Sequence, residues 1–384
     1  MKLSALALPA ALLAGAAIPA GASARPRPPF HRFSPIVGQV YVNDNTAGEN
    51  TVAGFERHAD GTLSPIPGSP FPAGGAGTGA SIGSQGALQE SANGRYLLAV
   101  DAGSGQISVL RIRRDGGLDA VGSPVSSGGP EPVSIAVSGD LVYVANGGPG
   151  VNNYSGFRLR HDGDLDPLAG STVALPSGSE PGDVLFNSTG RNLVGVRVGP
   201  ALIDSFTVSH DGLLTPAASS PFAAQGPGPF GSEFRPTNPG QLFVSNAHGG
   251  PEAGTVSAFD VAGDGTLSSI GSSPFPDHQT APCWVEISHN GRYLFTVNTA
   301  SSSISSYAIA ADGSLTLLGS TPFKETGVGA FDARLDPDGD TLWVVESAHK
   351  AIAGLSVDGG RLNELPSSPT ALPETAAPFG IVVD

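Results

Sequence analysis

Cysteine occurs once in 384 residues, at Cys283. No disulfide can form within the chain, so the fold must rest on a buried core, which a chain of this length can supply. The lone thiol is expected as a small buried apolar group rather than a nucleophile. Charge is scarce as well: 14% of residues are charged, and 19 Lys and Arg stand against 34 Asp and Glu, a formal net charge of −15. That balance argues against nucleic acid and anionic membrane surfaces as partners, since both require a basic face, and fits a neutral or cationic ligand better. No G-x-S-x-G elbow, phosphate loop, H-E-x-x-H or paired C-x-x-C occurs, and the histidines are scattered, so neither a metal nor a cofactor is expected. Beyond the first residues no apolar run is long enough to span a bilayer, and membrane insertion is not expected.

Glycine, with 54 residues, and proline, with 34, are plentiful. They suit many short strands joined by tight turns, and long amphipathic helices are not expected. At the N-terminus Lys2 precedes an apolar run over 3–18, and Ala22-Ser23-Ala24 has the small-residue pattern of a signal-peptidase site. The expectation is a signal peptide over 1–24, an extended Pro-rich lead-in over 25–36, and one secreted domain over 37–384.

An internal repeat sets the fold class. An Asp-Gly dipeptide followed by Leu recurs from Asp60, Asp115, Asp162, Asp211, Asp264, Asp312 and Asp358, at separations of 55, 47, 49, 53, 48 and 46. A period of about 50 is the length of a four-stranded propeller blade, and seven markers predict an all-β, seven-bladed propeller. Each Asp-Gly reads as the hairpin between third and fourth strands, while Asn93-Gly94 and Asn290-Gly291 read as turns between first and second. Blade six is the most complete, with strands over 284–288, 293–298, 304–309 and 314–318. The chain enters blade one at a second strand, Val40-Tyr41-Val42. Its missing first strand is read at the other end, in Pro378-Phe379-Gly380-Ile381-Val382-Val383, so blade one is shared between 40–71 and 378–384 and the two ends close the ring.

In a propeller the first strands line the central channel. Counting from the Pro position that opens them, the second residues are Ala87, Ser134, Asp183, Gly231, Trp284, Asp332 and Gly380. The fourth are Gln89, Ala136, Leu185, Glu233, Glu286, Arg334 and Val382. Charges on an innermost strand are costly unless paired or hydrated. Glu233, Glu286 and Arg334 are therefore candidate catalytic residues, two carboxylates for proton transfer and a guanidinium for an anionic substrate. An ion-pair cluster that seals the channel is the competing reading.

The ends of the second strands form another ring: Asp44, Asp101, Asn146, Arg197, Asn246, Asn298 and Glu346. Five are Asp or Asn, which start turns. Arg197 and Glu346 depart from that rule and, with Asp332, His248 and His349, are candidate substrate-binding residues at the channel mouth. Asn153 and Asn187 open glycosylation sequons, meaningful in a eukaryotic source.

The blade pattern resembles the seven-bladed propeller lactonase family, which includes 6-phosphogluconolactonases and carboxymuconate-lactonizing enzymes, and in particular a secreted lactonase-like branch. The resemblance is carried by Ser84-Gln85-Gly86-Ala87-Leu88 with Asn93-Gly94-Arg95-Tyr96-Leu97, by Pro229-Phe230-Gly231 and by Ala281-Pro282-Cys283-Trp284-Val285. It implies a hydrolase or isomerase acting on a lactone or a related small organic acid, bound as a small molecule at the channel mouth of a monomer. The family's early-blade His, its Pro-Arg-His and its Asn-Glu-Leu have no counterpart, because Gln85-Gly86-Ala87-Leu88-Gln89, Pro181-Gly182-Asp183 and Val196-Arg197-Val198 stand in their places. No catalytic residue carries over, and blades five to seven are left as the source of any chemistry. The alternative is a non-catalytic extracellular binding or scaffold propeller.

Overall fold

The computed structural model describes residues 34–384. In it the glycines of the seven Asp-Gly markers all have φ between 53° and 99°, the left-handed region that glycine enters without steric cost. Each turns the third strand of a sheet into the fourth, and the result is seven antiparallel sheets. The described residues contain strands and no helix. The expected export signal over 1–24 lies outside the described residues, as does most of the Pro-rich segment. Ile36 already opens a strand, Ile36–Asn43.

Ring closure follows the predicted route. Phe379–Val383 pairs with Ile36–Asn43 through Val40 with Val383, Tyr41 with Val382 and Val42 with Ile381. Arg57 adds a tie, with Nη1 3.2 Å from Asp336 Oδ2 and Nη2 donating to the Asp384 backbone oxygen at 3.1 Å. Neighbouring blades are also latched by tyrosine. Tyr41 donates to the Gly116 carbonyl at 2.7 Å, Tyr96 to that of His161 at 2.9 Å and Tyr143 to that of Gly212 at 2.9 Å. Each latch runs from a second strand to the Asp-Gly hairpin of the next blade, satisfying a buried hydroxyl where apolar faces meet.

The outer strand differs from a plain fourth strand. In six blades it is broken in two, as in Leu267–Ser269 and Phe275–Pro276, and both pieces pair with the same third strand. At the break a serine hydroxyl replaces a strand carbonyl. Ser69, Ser171, Ser220, Ser273 and Ser368 accept the N–H groups of Gly54, Gly156, Ser205, Ala258 and Gly354 at 2.7–3.2 Å. Blade six alone keeps one outer strand, Leu315–Pro322, with a bulge opposite Ser306 and Tyr307.

Candidate functional site

The inner edge of each first strand faces the channel with no strand beside it, so its N–H groups need other acceptors. Side chains of the preceding blade provide them. Ser134 Oγ accepts from Val184 N–H at 3.2 Å, Asp183 Oδ2 from Ser232 N–H at 3.0 Å, and Glu286 Oε1 from Leu335 N–H at 3.2 Å. Asp183 also accepts from the hydroxyls of Ser232 and Ser134. Burial pushes its carboxyl up to about 7 against those hydrogen bonds. Much of the polarity at the second and fourth positions is thus explained by backbone satisfaction.

The channel is crossed by chain. The regular first strand expected over 85–89 of blade two begins only at Leu88, in Leu88–Glu90, and Ser84-Gln85-Gly86 runs across the opening instead. Gln85 N–H donates to the Gly182 carbonyl at 3.0 Å. Trp284 Nε1 donates to the Ser84 carbonyl at 2.8 Å, and Gly86 N–H to Asp332 Oδ2 at 3.0 Å. The glycines at two second positions make room for this crossing. A Cβ on Gly231 would stand 2.1 Å from Gln85 Oε1, and one on Gly380 2.5 Å from the Leu88 nitrogen.

Past the crossing, the fourth positions bring the three catalytic candidates together. Arg334 Nη1 lies 3.2 Å from Glu286 Oε2, with the arginine side chain 24% exposed and the glutamate side chain 7%. Glu233 is half-buried beside them, and its side chain makes no hydrogen bond to any described residue. Burial first, and the Glu286 carboxylate next, hold its carboxyl well above the usual range, opposed by Arg334. Burial raises Glu286 as well, against the pull of Arg334 and of the Leu335 N–H. The fourth positions of blades three, four and one are Ala136, Leu185 and Val382, apolar where those of blades five to seven are charged.

Of the five mouth residues only Asp332, two residues before Arg334 on the same strand and attracted by its charge, adjoins this cluster. Strand register places Arg197 opposite Pro181 and Glu346 opposite Ala330, whereas Arg334 stands opposite Trp343. Four residues of strand separate the two levels, roughly 13 Å. Arg197, expected to bind substrate, is buried and committed to Asp204, with Nε and Nη2 at 2.7 and 2.5 Å from its two oxygens. Tyr154 donates to the same carboxylate at 3.0 Å. Asp332 is occupied by the N–H groups of Gly86 and Ala333. His349 Nδ1 lies 3.1 Å from Glu325 Oε2, and His248 is an exposed rim residue.

Most of the mouth ring is structural, and its partner stands seven residues on. Asp44 pairs with Thr51, Asp101 with Ser108, Asn146 with Asn153, Arg197 with Asp204 and Asn298 with Ser305. For Glu346 that place is Ala353, and its Oε2, fully buried, has no hydrogen-bond partner. Burial, with Glu364 and Glu325 adding and Lys324 opposing, pushes it up to about 7. The sequon residues Asn153 and Asn187 are buried, with their amides bonded to the carbonyls of Gly128 and Pro239. Cys283 is buried as expected, and burial raises its thiol to about 11.

Residues 202–371 match the family model described as Lactonase, 7-bladed beta-propeller, a span that contains Glu233, Glu286 and Arg334. No curated protein sequence matches the chain. Among solved structures it is similar to a candidate 6-phosphogluconolactonase of Bacteroides uniformis, at 19% identity and TM-score 0.72 over 90% of this chain and 99% of that one. It is also similar to the periplasmic gluconolactonase PpgL of Pseudomonas aeruginosa, at 17% identity and TM-score 0.71 over 90% and 98%. Virginiamycin B lyase of Staphylococcus aureus matches at 14% identity and TM-score 0.53 over 78% and 88%. At such identities the likeness is one of fold.

Proposed function

We propose that this lactonase-like propeller hydrolyses a lactone or a related ester of a small organic acid outside the cell, with Glu233 as the group that moves the proton. The observation that carries the reading is a difference among channel carboxyls. Asp183, Glu286 and Asp332 each hold a backbone N–H, and Glu233 holds none. A carboxyl with no hydrogen-bond partner, held well above the usual range by burial and by the Glu286 carboxylate, suits general acid–base work.

In the proposed reaction water attacks the lactone carbonyl carbon and Glu233, in its ionised form, takes the water proton. Arg334 stabilises the oxygen that becomes negative. The ring C–O bond then breaks, and the proton passes from Glu233 to the departing ring oxygen, giving a hydroxy acid. Glu286 acts as a positioning residue that orients Arg334, and Ala136, Leu185 and Val382 would receive the carbon face of the ring. Export is supported by the sequence around Lys2 and Ala22-Ser23-Ala24 alone.

The second reading, a non-catalytic propeller that binds a small molecule, is favoured by Arg334 being already paired with Glu286. A panel of aldonolactones and muconolactones, assayed on wild type, Glu233→Gln and Glu286→Gln, separates the two. Turnover lost in Glu233→Gln supports the hydrolase; a wild type inert on the whole panel supports the binding propeller.

A further inference from the structure

Gln85 touches two blades with one amide. Its Nε2 donates to the Ser232 carbonyl at 2.9 Å, and its Oε1 accepts from the Val285 N–H at 3.0 Å. Ser232 immediately precedes Glu233 on blade five, and Val285 immediately precedes Glu286 on blade six. The side chain is buried, and its own backbone is anchored to Gly182 of blade four. Gly231 supplies the clearance, since a side chain there would occupy the place of Gln85 Oε1. The two strands present open inner edges to the channel, with no strand between them. The primary amide, which offers a donor and an acceptor together, joins them directly at this level.

We propose that Gln85 is a positioning residue that sets the separation of Glu233 and Glu286 across the seam of blades five and six. A leucine of similar size would fill the space but leave the Ser232 carbonyl and the Val285 N–H unpaired, and the two strand edges would relax independently. The geometric claim stands on the amide contacts; its consequence for turnover rests on the reading of Glu233 as the proton-transfer group.

The test is a carbon-13 carboxyl titration of wild type, Gln85→Leu and the shorter Gln85→Asn, with Glu286→Gln marking Glu233 free of its neighbour's charge. The Glu286 carboxylate helps to hold the Glu233 carboxyl above the usual range, so loosening their spacing is expected to lower the upper apparent pKa of the two groups toward the Glu286→Gln value. A merely structural glutamine would lower the melting temperature and leave both titrations in place. Folded Gln85→Leu that titrates as wild type overturns the proposal, and Gln85→Asn decides by the same readout should the leucine variant not fold. If wild type turns over a lactone, kcat should fall roughly tenfold in Gln85→Leu with KM unchanged. If wild type turns over none, the hydrolase reading fails and the titration still decides the role of Gln85.

Discussion

Arg334 Nη1 stands 3.2 Å from Glu286 Oε2 across the seam between blades seven and six. Breaking a largely buried pair leaves the surviving charge uncompensated, whereas replacing both members by apolar groups does not. Arg334→Leu is therefore expected to cost about 3 kcal/mol in urea unfolding at neutral pH. The Arg334→Leu, Glu286→Leu double variant should recover much of that loss. Equal loss in both would mean that the pair is not coupled.

Stability should fall as pH rises through neutrality. The Glu346 carboxyl lies at about 7 in the folded chain against an ordinary 4.5, because burial, Glu364 and Glu325 outweigh Lys324. The folded state therefore binds a proton that the unfolded chain releases. The stabilisation is complete below about 4.5 and lost as pH rises through 7. Asp44, which burial raises to about 7 against its bond from Thr51, adds a slope of the same sign. Melting temperatures should drop between pH 5 and pH 8, and Glu346→Gln should flatten that slope in part. An unchanged slope in the variant contradicts the assignment.

Ala353→Ser restores the hydroxyl that other blades place seven residues after the mouth residue, as Ser108 and Ser305 do. It should give Glu346 a hydrogen bond, lower its pKa and stabilise the chain at pH 8 by about 1 kcal/mol. Loss of stability at pH 8 would show that the space beside Ala353 is filled.

Deleting 378–384 removes Phe379, Ile381, Val382 and Val383, all buried. At roughly 1.5–3 kcal/mol per buried side chain the loss is comparable to the 5–15 kcal/mol stability of a typical domain. The truncated chain should show no cooperative thermal transition. A melting temperature like that of the full chain contradicts closure through this strand.

The repeat was legible because its turns leave a steric signature: each Asp-Gly glycine has positive φ, and the spacing survives changes in every other residue. The broken outer strand had its own marker, Ser-Pro at Ser69, Ser220, Ser273 and Ser368, but a proline inside a strand reads as an end and not as a break bridged by a hydroxyl. The channel crossing was hidden by assuming regular blades. Its traces were the glycine-rich stretch at 74–86 and the glycines at second positions 231 and 380, which read as irregularities until Gln85 is seen to need their space. Arg197 was singled out for its charge, yet Asp204 seven residues on follows the same partner rule as Asp101 and Ser108. Glu233 and Glu286 occupy equivalent positions, and what separates them, an N–H of the next blade within reach of one and not the other, is a property of tertiary structure alone.

The role of Glu233 is tested most directly by the pH dependence of kcat/KM for lactone hydrolysis by wild type and Glu233→Gln. Wild-type activity should rise with pH along a limb set by ionisation of Glu233, above the ordinary glutamate range. Glu233→Gln should lose that limb and at least about a hundredfold in rate, the usual contribution of a positioned acid–base group. Wild-type kcat/KM in Glu233→Gln, with the pH profile intact, would contradict that role.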